Sequence, residues 1–389
     1  IIDADAHNIK QYRAGNAIAQ PMHHSILPLD RREDKITQVS WGKAVFAHRF
    51  GRPTTGMWLP EMAVDEETLE VLIDQGIEWT ILTESQVEDK PLGAGPYWIC
   101  LSNRKRIKVF IRDEQLSNDI AFNLGRFGGA GRWARGVLVP RRREAGLLTL
   151  IATDGETFGH HWRGEEQFLY WLLTYEALAA GYKVTTLAQY IGMTQPTDEL
   201  KLKENTAWSC SHGLRRWATG CACTPDDSSW KGALRRAFDS VRYELDALYH
   251  DELKKLAGID PYALRNAYIK VVLGYVPPDR FLADQEVEIT GEAAARLLKL
   301  VQAQYYRLRM YASCAFFFPK LSAYSTRYGI ANAAYAIRLA QEATGIDLAP
   351  NFRHDLRIAT AVDEETGEAL TGADIYDELA ADLARPNNY

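Results

Sequence analysis

Cysteine is scarce in this chain: there are five in 389 residues, an odd number that does not read as a disulfide framework. A reducing cytoplasm is the expected setting. Long apolar runs are missing, and nothing in the sequence is read as spanning a bilayer. The opening "IIDADAHNIKQYR" lacks a basic segment leading into an apolar one, so it is not a signal peptide. Because it starts at Ile1, the chain is expected to begin inside a longer polypeptide. Neither sign of charge dominates; a net charge of −6 gives no basic footprint for nucleic acid. Internal repeats and low-complexity tracts are also absent. What remains is ordinary: 47% apolar and 25% charged residues, with enough material for a sizeable core.

The first half alternates in pattern. "EWTILT" (78–83), "RIKVFIRD" (106–113), "GLLTLIATD" (146–154) and "YKVTTLAQYI" (182–191) are short, β-rich and punctuated by Gly or charge, which predicts buried strands. "DEETLEVLIDQG" (65–76) and "EEQFLYWLLTYEALAAG" (165–181) predict helices, each with a Gly stop. Strands alternating with helices indicate a parallel α/β sheet or barrel.

The second half predicts helices throughout. Trp230, Leu234, Phe238, Val241, Leu245 and Leu248 recur at helical spacing. Asp260 is placed as an N-cap ahead of Pro261. The expected organisation is an α/β part over 1–191, a Cys- and His-bearing connector over 192–227, a helical domain over 228–350 that covers the cleft, and a peripheral acidic tail over 351–389. The apolar positions of the helical half, Phe316, Phe317 and Phe318 among them, are expected to pack over the mouth of the first part.

Two stretches carry acids in places suited to chemistry. In "LIATDGETFGHHW" (150–162), Leu148, Leu150, Ala152 and Asp154 share one strand face, so Asp154 ends an apolar row. Barrel active sites sit at that carboxyl end. A strand-end Asp capping the next helix is the plainer reading. In "GMWLPEMAVD", Glu61 follows Trp58 and Pro60; a ring to stack on a pyranose and a carboxylate to react suit a sugar site. Glu61 in a helix-entry loop, with Trp58 in the core, is the alternative.

"GNAIAQPMHHSILPL" (15–29), "WGKAVFAHRFGRPTTGMWLPEMAVDEETLEVL" (41–72), "LSNDIAF" (116–122), "ATDGETFGHHW" and "MYASCAFFF" (310–318) occur in this order. Together they resemble glycoside hydrolase family 57, in its alpha-amylase/alpha-mannosidase-like branch, over about residues 15–350. The most specific motifs are "WLPE" and "DGETFGHH". The resemblance implies an incomplete seven-stranded (β/α) barrel followed by a helical bundle. It also implies retaining double displacement on alpha-linked glucans or maltooligosaccharides, by hydrolysis or transfer. It assigns Glu61 as nucleophile and Asp154 as general acid/base, and it matches His24 to the family's histidine before "SILPL". The family's N-terminal histidine motif has no counterpart here, so it lies upstream of Ile1 or the barrel lacks its first strand.

In that mechanism Asp154 must start protonated, so burial and the Glu61 charge are expected to raise its pKa, with the two carboxyl groups roughly 5–7 Å apart. His24, Trp58, Glu156, His160, His161, Trp162, Arg216 and Trp217 are the expected substrate contacts. His160 and His161 serve equally well as helix caps, and Trp162 as core. No cofactor is required. Cys210, His212, Cys221 and Cys223 form C-x-H…C-x-C, four ligand types for a structural zinc, although C-x-C is tighter than the usual C-x2-C. A packed loop is the alternative there. Cys100 and Cys314 are expected as buried small hydrophobes. Two other classes compete: a metal-dependent polysaccharide deacetylase using Asp154, His160 and His161, and a non-catalytic carbohydrate-binding or scaffold protein.

Overall fold

The structure is a computed structural model that describes residues 1–142, 147–225, 227–256, 258–362 and 367–384. Position 146, at the head of the expected 146–154 strand, lies outside the described residues, as do the last five residues of the tail. The fold is mixed α/β, and the chain divides into two compact units. The first is made of 1–19, 54–58 and 72–204, the second of 20–53, 59–71 and 205–389. The division at 204/205 falls inside the expected connector. Residues 20–53 and 59–71 join the helical unit rather than the sheet unit.

The sheet of the first unit comprises β1 (Gly56–Met57), β2 (Trp79–Thr83), β3 (Tyr97–Cys100) and β4 (Arg106–Arg112), in the order β1-β2-β4-β3. The first three in that order are parallel; β3 adds antiparallel on the outside, pairing Tyr97 with Val109. β2 is buried along its whole length, as a strand covered on both faces must be. Its Trp79 meets Phe110 of β4 edge to face at 5.5 Å.

Two expected strands are not strands. Residues 147–154 run extended without a ladder. Leu148 O accepts from Ala94 N and Leu150 O from Asp113 N, each at 2.9 Å, and the segment makes no continuous pairing. Within 182–191 the chain instead turns into helix Leu187–Met193, capped by Thr186, whose side chain accepts from Gln189 N. The predicted helix at 165–181 is present as Glu166–Trp171, a wide turn over Leu172–Glu176, and Ala177–Ala179. Phe168, Leu172 and Ala177 from it close a small core with Leu116, Ile120 and Trp133.

The second unit is helical. Trp230–Lys254 buries Trp230, Leu234, Phe238, Val241 and Leu245, the stripe expected from the sequence. Asp260 caps Pro261–Ala267, accepting from Tyr262 N and Ala263 N. Arg32–Phe50, Gly291–Arg309 and Tyr324–Thr344 complete the main packing. Phe316 is buried against Phe238, Phe317 is half-buried beside Trp217, and Phe318 is 46% exposed. The tail is not peripheral: helix Gly372–Ala384 buries Ala373, Ile375 and Tyr376 in this core.

A buried charge network crosses the helical core. Arg307 lies 2.7 Å from Asp34 and 2.6 Å from Asp246, and Arg265 lies 2.9 Å from Asp34. Burial alone would raise the Asp34 carboxyl, but the two guanidinium charges outweigh it and hold it below its ordinary value. Replacing Arg307 with Met leaves Asp34 and Asp246 short of a cation in a dry core. A loss of about 3–5 kcal/mol is expected, read as a lower urea midpoint with an unchanged slope.

Candidate active site

Glu61 sits in the short turn Pro60–Met62 of the helical unit. Its backbone is left-handed, at φ 55 and ψ 18, and Met62 follows at φ 47. Two successive non-glycine residues in that region cost about 1–2 kcal/mol each, a strain that clusters at working sites. Surrounding contacts hold the turn in place. Glu61 O accepts from Trp208 N at 3.0 Å. Glu61 Oε2 accepts from Trp208 Nε1 at 3.1 Å and from Ser209 Oγ at 2.6 Å. The half-buried carboxylate therefore has one oxygen held by two donors, and Oε1 lies outside that pair.

Cys314 faces the same carboxylate. It is exposed, not buried as expected. Partial desolvation raises its thiol above the ordinary value, and the Glu61 charge adds to the rise. Its neighbour Ser313 bonds the half-buried His24, Oγ to Nδ1 at 2.8 Å, and Ser313 N donates to His24 O at 2.9 Å. His24 is itself at φ 54. Trp208 and Ser209 were missed by sequence reasoning. The signal is the Trp-Ser-Cys-x-His-Gly stretch that they open, which resembles the same family branch but carries no assigned role.

Beside His24, His23 is buried between Trp41 and Tyr305, with ring centroids 5.9 and 4.9 Å away. Burial, and then the Arg309 charge, lower its pKa from 6.5 to about 3. The unfolded chain therefore takes up a proton below pH 6.5 that the folded chain refuses. Stability from this group is complete above pH 6.5 and falls by about 1.4 kcal/mol per pH unit down to about pH 3. His23→Phe keeps the ring packing and removes the proton site. Its melting temperature should fall less than that of the parent between pH 7 and 5.

Asp154 belongs to the other unit. It lies at the end of the extended 147–154 segment and is exposed. The burial expected of Asp154 is therefore not observed. Its setting is electrostatic, on the carboxyl side of β2 and β4. Arg112, at the end of β4, donates to Thr83 Oγ1 at 3.0 Å, Ala152 O at 3.1 Å and Asn118 Oδ1 at 3.3 Å. Burial lowers the Arg112 pKa, while Glu114, Asp154, Glu84 and Asp113 act in the opposite sense. Glu114 in turn accepts from Thr83 Oγ1 and Ser85, and Asp113 accepts from Arg141 Nη1 at 3.0 Å. This ring of charge was legible only as "RIKVFIRD" ending on Arg-Asp.

The remaining expected contacts divide. Glu156, His160 and His161 are exposed in the turn after Asp154, where Glu156 O accepts from both histidine N–H groups. The next helix starts at Glu166, so neither histidine caps it. Trp58 is half-buried. Trp162 is half-buried: its Nε1 donates to Ala121 O at 2.9 Å, and the ring packs against the small core of the first unit. Trp217 is fully buried. Arg216 is turned inward, bonding Cys223 O at 3.2 Å and lying 4.6 Å over the Phe317 ring. Trp217 packs in the same core as Trp230, and Arg216 beside it is half-buried. Among the described residues, the one group of three or more possible metal ligands is Cys210, His212, Cys221 and Cys223. Asp154, His160 and His161 form no such group among the described residues.

Residues 10–203 match the model of glycosyl hydrolase family 57, and the chain belongs to that family. Residues 227–384 match a domain of unknown function, DUF3536. No curated protein matches the chain. Three solved structures share its fold. An exo-type maltose-forming amylase from Pyrococcus sp. ST04 superposes with a TM-score of 0.74 at 15% identity, over 90% of this chain and 67% of that one. The branching enzyme of Pyrococcus horikoshii gives 0.58 at 16%, over 97% and 70%. The 4-alpha-glucanotransferase of Thermococcus litoralis gives 0.52 at 17%, over 87% and 48%. The chain thus spans about half the length of the glucanotransferase.

Proposed function

We propose that the protein is a retaining enzyme of alpha-linked glucans, hydrolysing them or transferring glucan units, with Glu61 as nucleophile. The observation that carries this is the strained Glu61 turn with Oε2 tied to Trp208 and Ser209. Strain and two donors fix the carboxylate in one orientation, which is what attack on a single carbon requires. Membership of family 57, and the amylase and glucanotransferase activities of the similar structures, support an alpha-glucan as substrate.

Glu61 attacks the anomeric carbon as the glycosidic bond breaks, and Asp154 gives the leaving oxygen its proton. Asp154 then takes a proton from water or an acceptor hydroxyl, which attacks the same carbon and frees Glu61. Because Asp154 is exposed in the free protein, the bound glucan supplies the desolvation that favours its protonated form. The parallel strands β1, β2 and β4 are read as part of an incomplete seven-stranded barrel. The free cysteines fit a cytoplasmic setting, and among the described residues no helix is long and apolar enough to cross a membrane.

Incubation with maltooligosaccharides, with products resolved by size, tests the reading. Shorter products alone indicate hydrolysis; longer ones as well indicate transfer. An unchanged size distribution for every alpha-linked glucan tried contradicts the proposal.

A further inference from the structure

Four soft donors converge in the loop that follows Ser209. Cys210 Sγ lies 3.6 Å from Cys221 Sγ. His212 Nδ1 lies 3.1 Å from Cys221 Sγ and 3.2 Å from Cys223 Sγ. All four ligand atoms fall within 4.8 Å of one another. A tetrahedral zinc with Zn–S of about 2.3 Å and Zn–N of about 2.0–2.1 Å has S···S edges of roughly 3.8 Å and S···N edges of roughly 3.5 Å. The donors already stand near the corners of that solid.

We propose that Cys210, His212, Cys221 and Cys223 bind one structural Zn²⁺ through three thiolates and His212 Nδ1. The donor set is soft and has no carboxylate, which disfavours magnesium and calcium. It provides four ligands and no open position, the mark of a structural rather than a catalytic site. A Cys210–Cys221 disulfide needs its sulfurs at about 2.05 Å, not 3.6 Å.

The surroundings fit a ligand cage. Gly213 has φ +73, and a Cβ there would lie 2.5 Å from Asn205 O. Gly220 has φ +92, and a Cβ there would lie 2.2 Å from Ser228 O. Only glycine lets the loop close tightly enough to face both ligand pairs. Cys223 N donates to Cys221 Sγ at 3.4 Å, and Cys221 N donates to Ser228 Oγ at 2.9 Å. The backbone thus compensates for the short C-x-C spacing. The buried Lys231 ammonium bonds Thr224 Oγ1, and its charge reaches the Cys210 and Cys221 sulfurs, offsetting the excess thiolate charge.

The metal's role follows from position. Cys210 is the residue after Ser209, and Trp208 and Ser209 are the donors on Glu61 Oε2. A zinc that fixes Cys210 therefore fixes that donor pair. This last consequence rests on Glu61 being the nucleophile; the metal site itself does not.

The test is elemental analysis of the full chain purified without added metal, combined with native thiol titration. One zinc per chain is expected, with two reactive thiols, the exposed Cys100 and Cys314, rising to five after chelation in denaturant. Exchange for Co²⁺ should give thiolate-to-cobalt absorption. Cys223→Ser and His212→Ala alter the two less buried ligands. Each should lower zinc content at least tenfold while circular dichroism stays helical, and should weaken turnover. If Cys223→Ser does not fold, the exposed His212 gives the decisive variant. Five reactive native thiols with no metal, a Cys210–Cys221 disulfide in the mass map, or stoichiometric iron each overturn the proposal. Zinc present with Glu61→Gln fully active keeps the site and removes the catalytic reading. No zinc with Glu61→Gln inactive does the reverse.

Discussion

Glu61→Gln should abolish turnover of maltooligosaccharides, lowering kcat by roughly 10⁴–10⁶ as removal of a covalent nucleophile does elsewhere. The amide keeps an acceptor for Trp208 Nε1 and Ser209 Oγ, so the turn should persist and the melting temperature should hardly move. Substrate affinity should stay within a fewfold, because the change removes an attacking charge rather than a binding surface. A second variant separates chemistry from architecture. Glu61→Gly suits the backbone, since φ 55 is a conformation glycine adopts without strain. It also opens a space where azide can attack an activated alpha-glycoside from the vacated side. The product should be the beta-glycosyl azide, inverted once. Unchanged kcat in Glu61→Gln, with folding intact, contradicts the nucleophile assignment.

Asp154→Asn should lower kcat on maltooligosaccharides by roughly 10²–10⁴, the usual contribution of a general acid. The loss should shrink for an alpha-glycoside whose leaving group needs no proton. The glycosyl-enzyme then forms but hydrolyses slowly, because no base activates water. Azide needs no base, so it should restore turnover and give the alpha-glycosyl azide, inverted twice. Opposite anomers from the two variants would separate the two roles better than the size of either loss. The alkaline limb of the pH–rate profile, where a general acid loses its proton, should be lost in Asp154→Asn. Equal losses on good and poor leaving groups contradict the acid assignment.

Segments where period and punctuation agreed were legible in the sequence. β2 and β4 read as strands because short β-rich runs ended at Gly or charge, and Trp230–Lys254 read as a helix because its apolar residues recur every three or four positions. The run 182–191 is β-rich enough to predict a strand, but Val184, Leu187 and Ile191 also fit helical spacing and Thr186 caps the helix that forms. The stretch 147–154 has a strand's alternation but gains only isolated backbone partners.

The candidate site was legible as chemistry and illegible as contact. Glu61 and Asp154 stood out as acids beside Trp, Pro and Gly. Nothing local announced that Ser209, 148 residues on, would hold Glu61. Arg112 was likewise visible only as a charge ending a strand, although Asp154 lies within reach of its charge. The aromatic and basic residues of the connector, Arg216 and Trp217, looked available to substrate because sequence does not say which way a short loop folds. Trp217 is buried in the helical core, and the half-buried Arg216 lies over the Phe317 ring.

The covalent intermediate tests the central claim most directly. An alpha-configured fluorinated glucosyl fluoride that forms the glycosyl-enzyme faster than it releases it should add one sugar mass to the full chain. Proteolysis and fragmentation should then place that mass on Glu61, and Glu61→Gln should take up none. A product anomer inverted from the outset with no adduct, or an adduct on another carboxylate such as Asp154, would contradict the account.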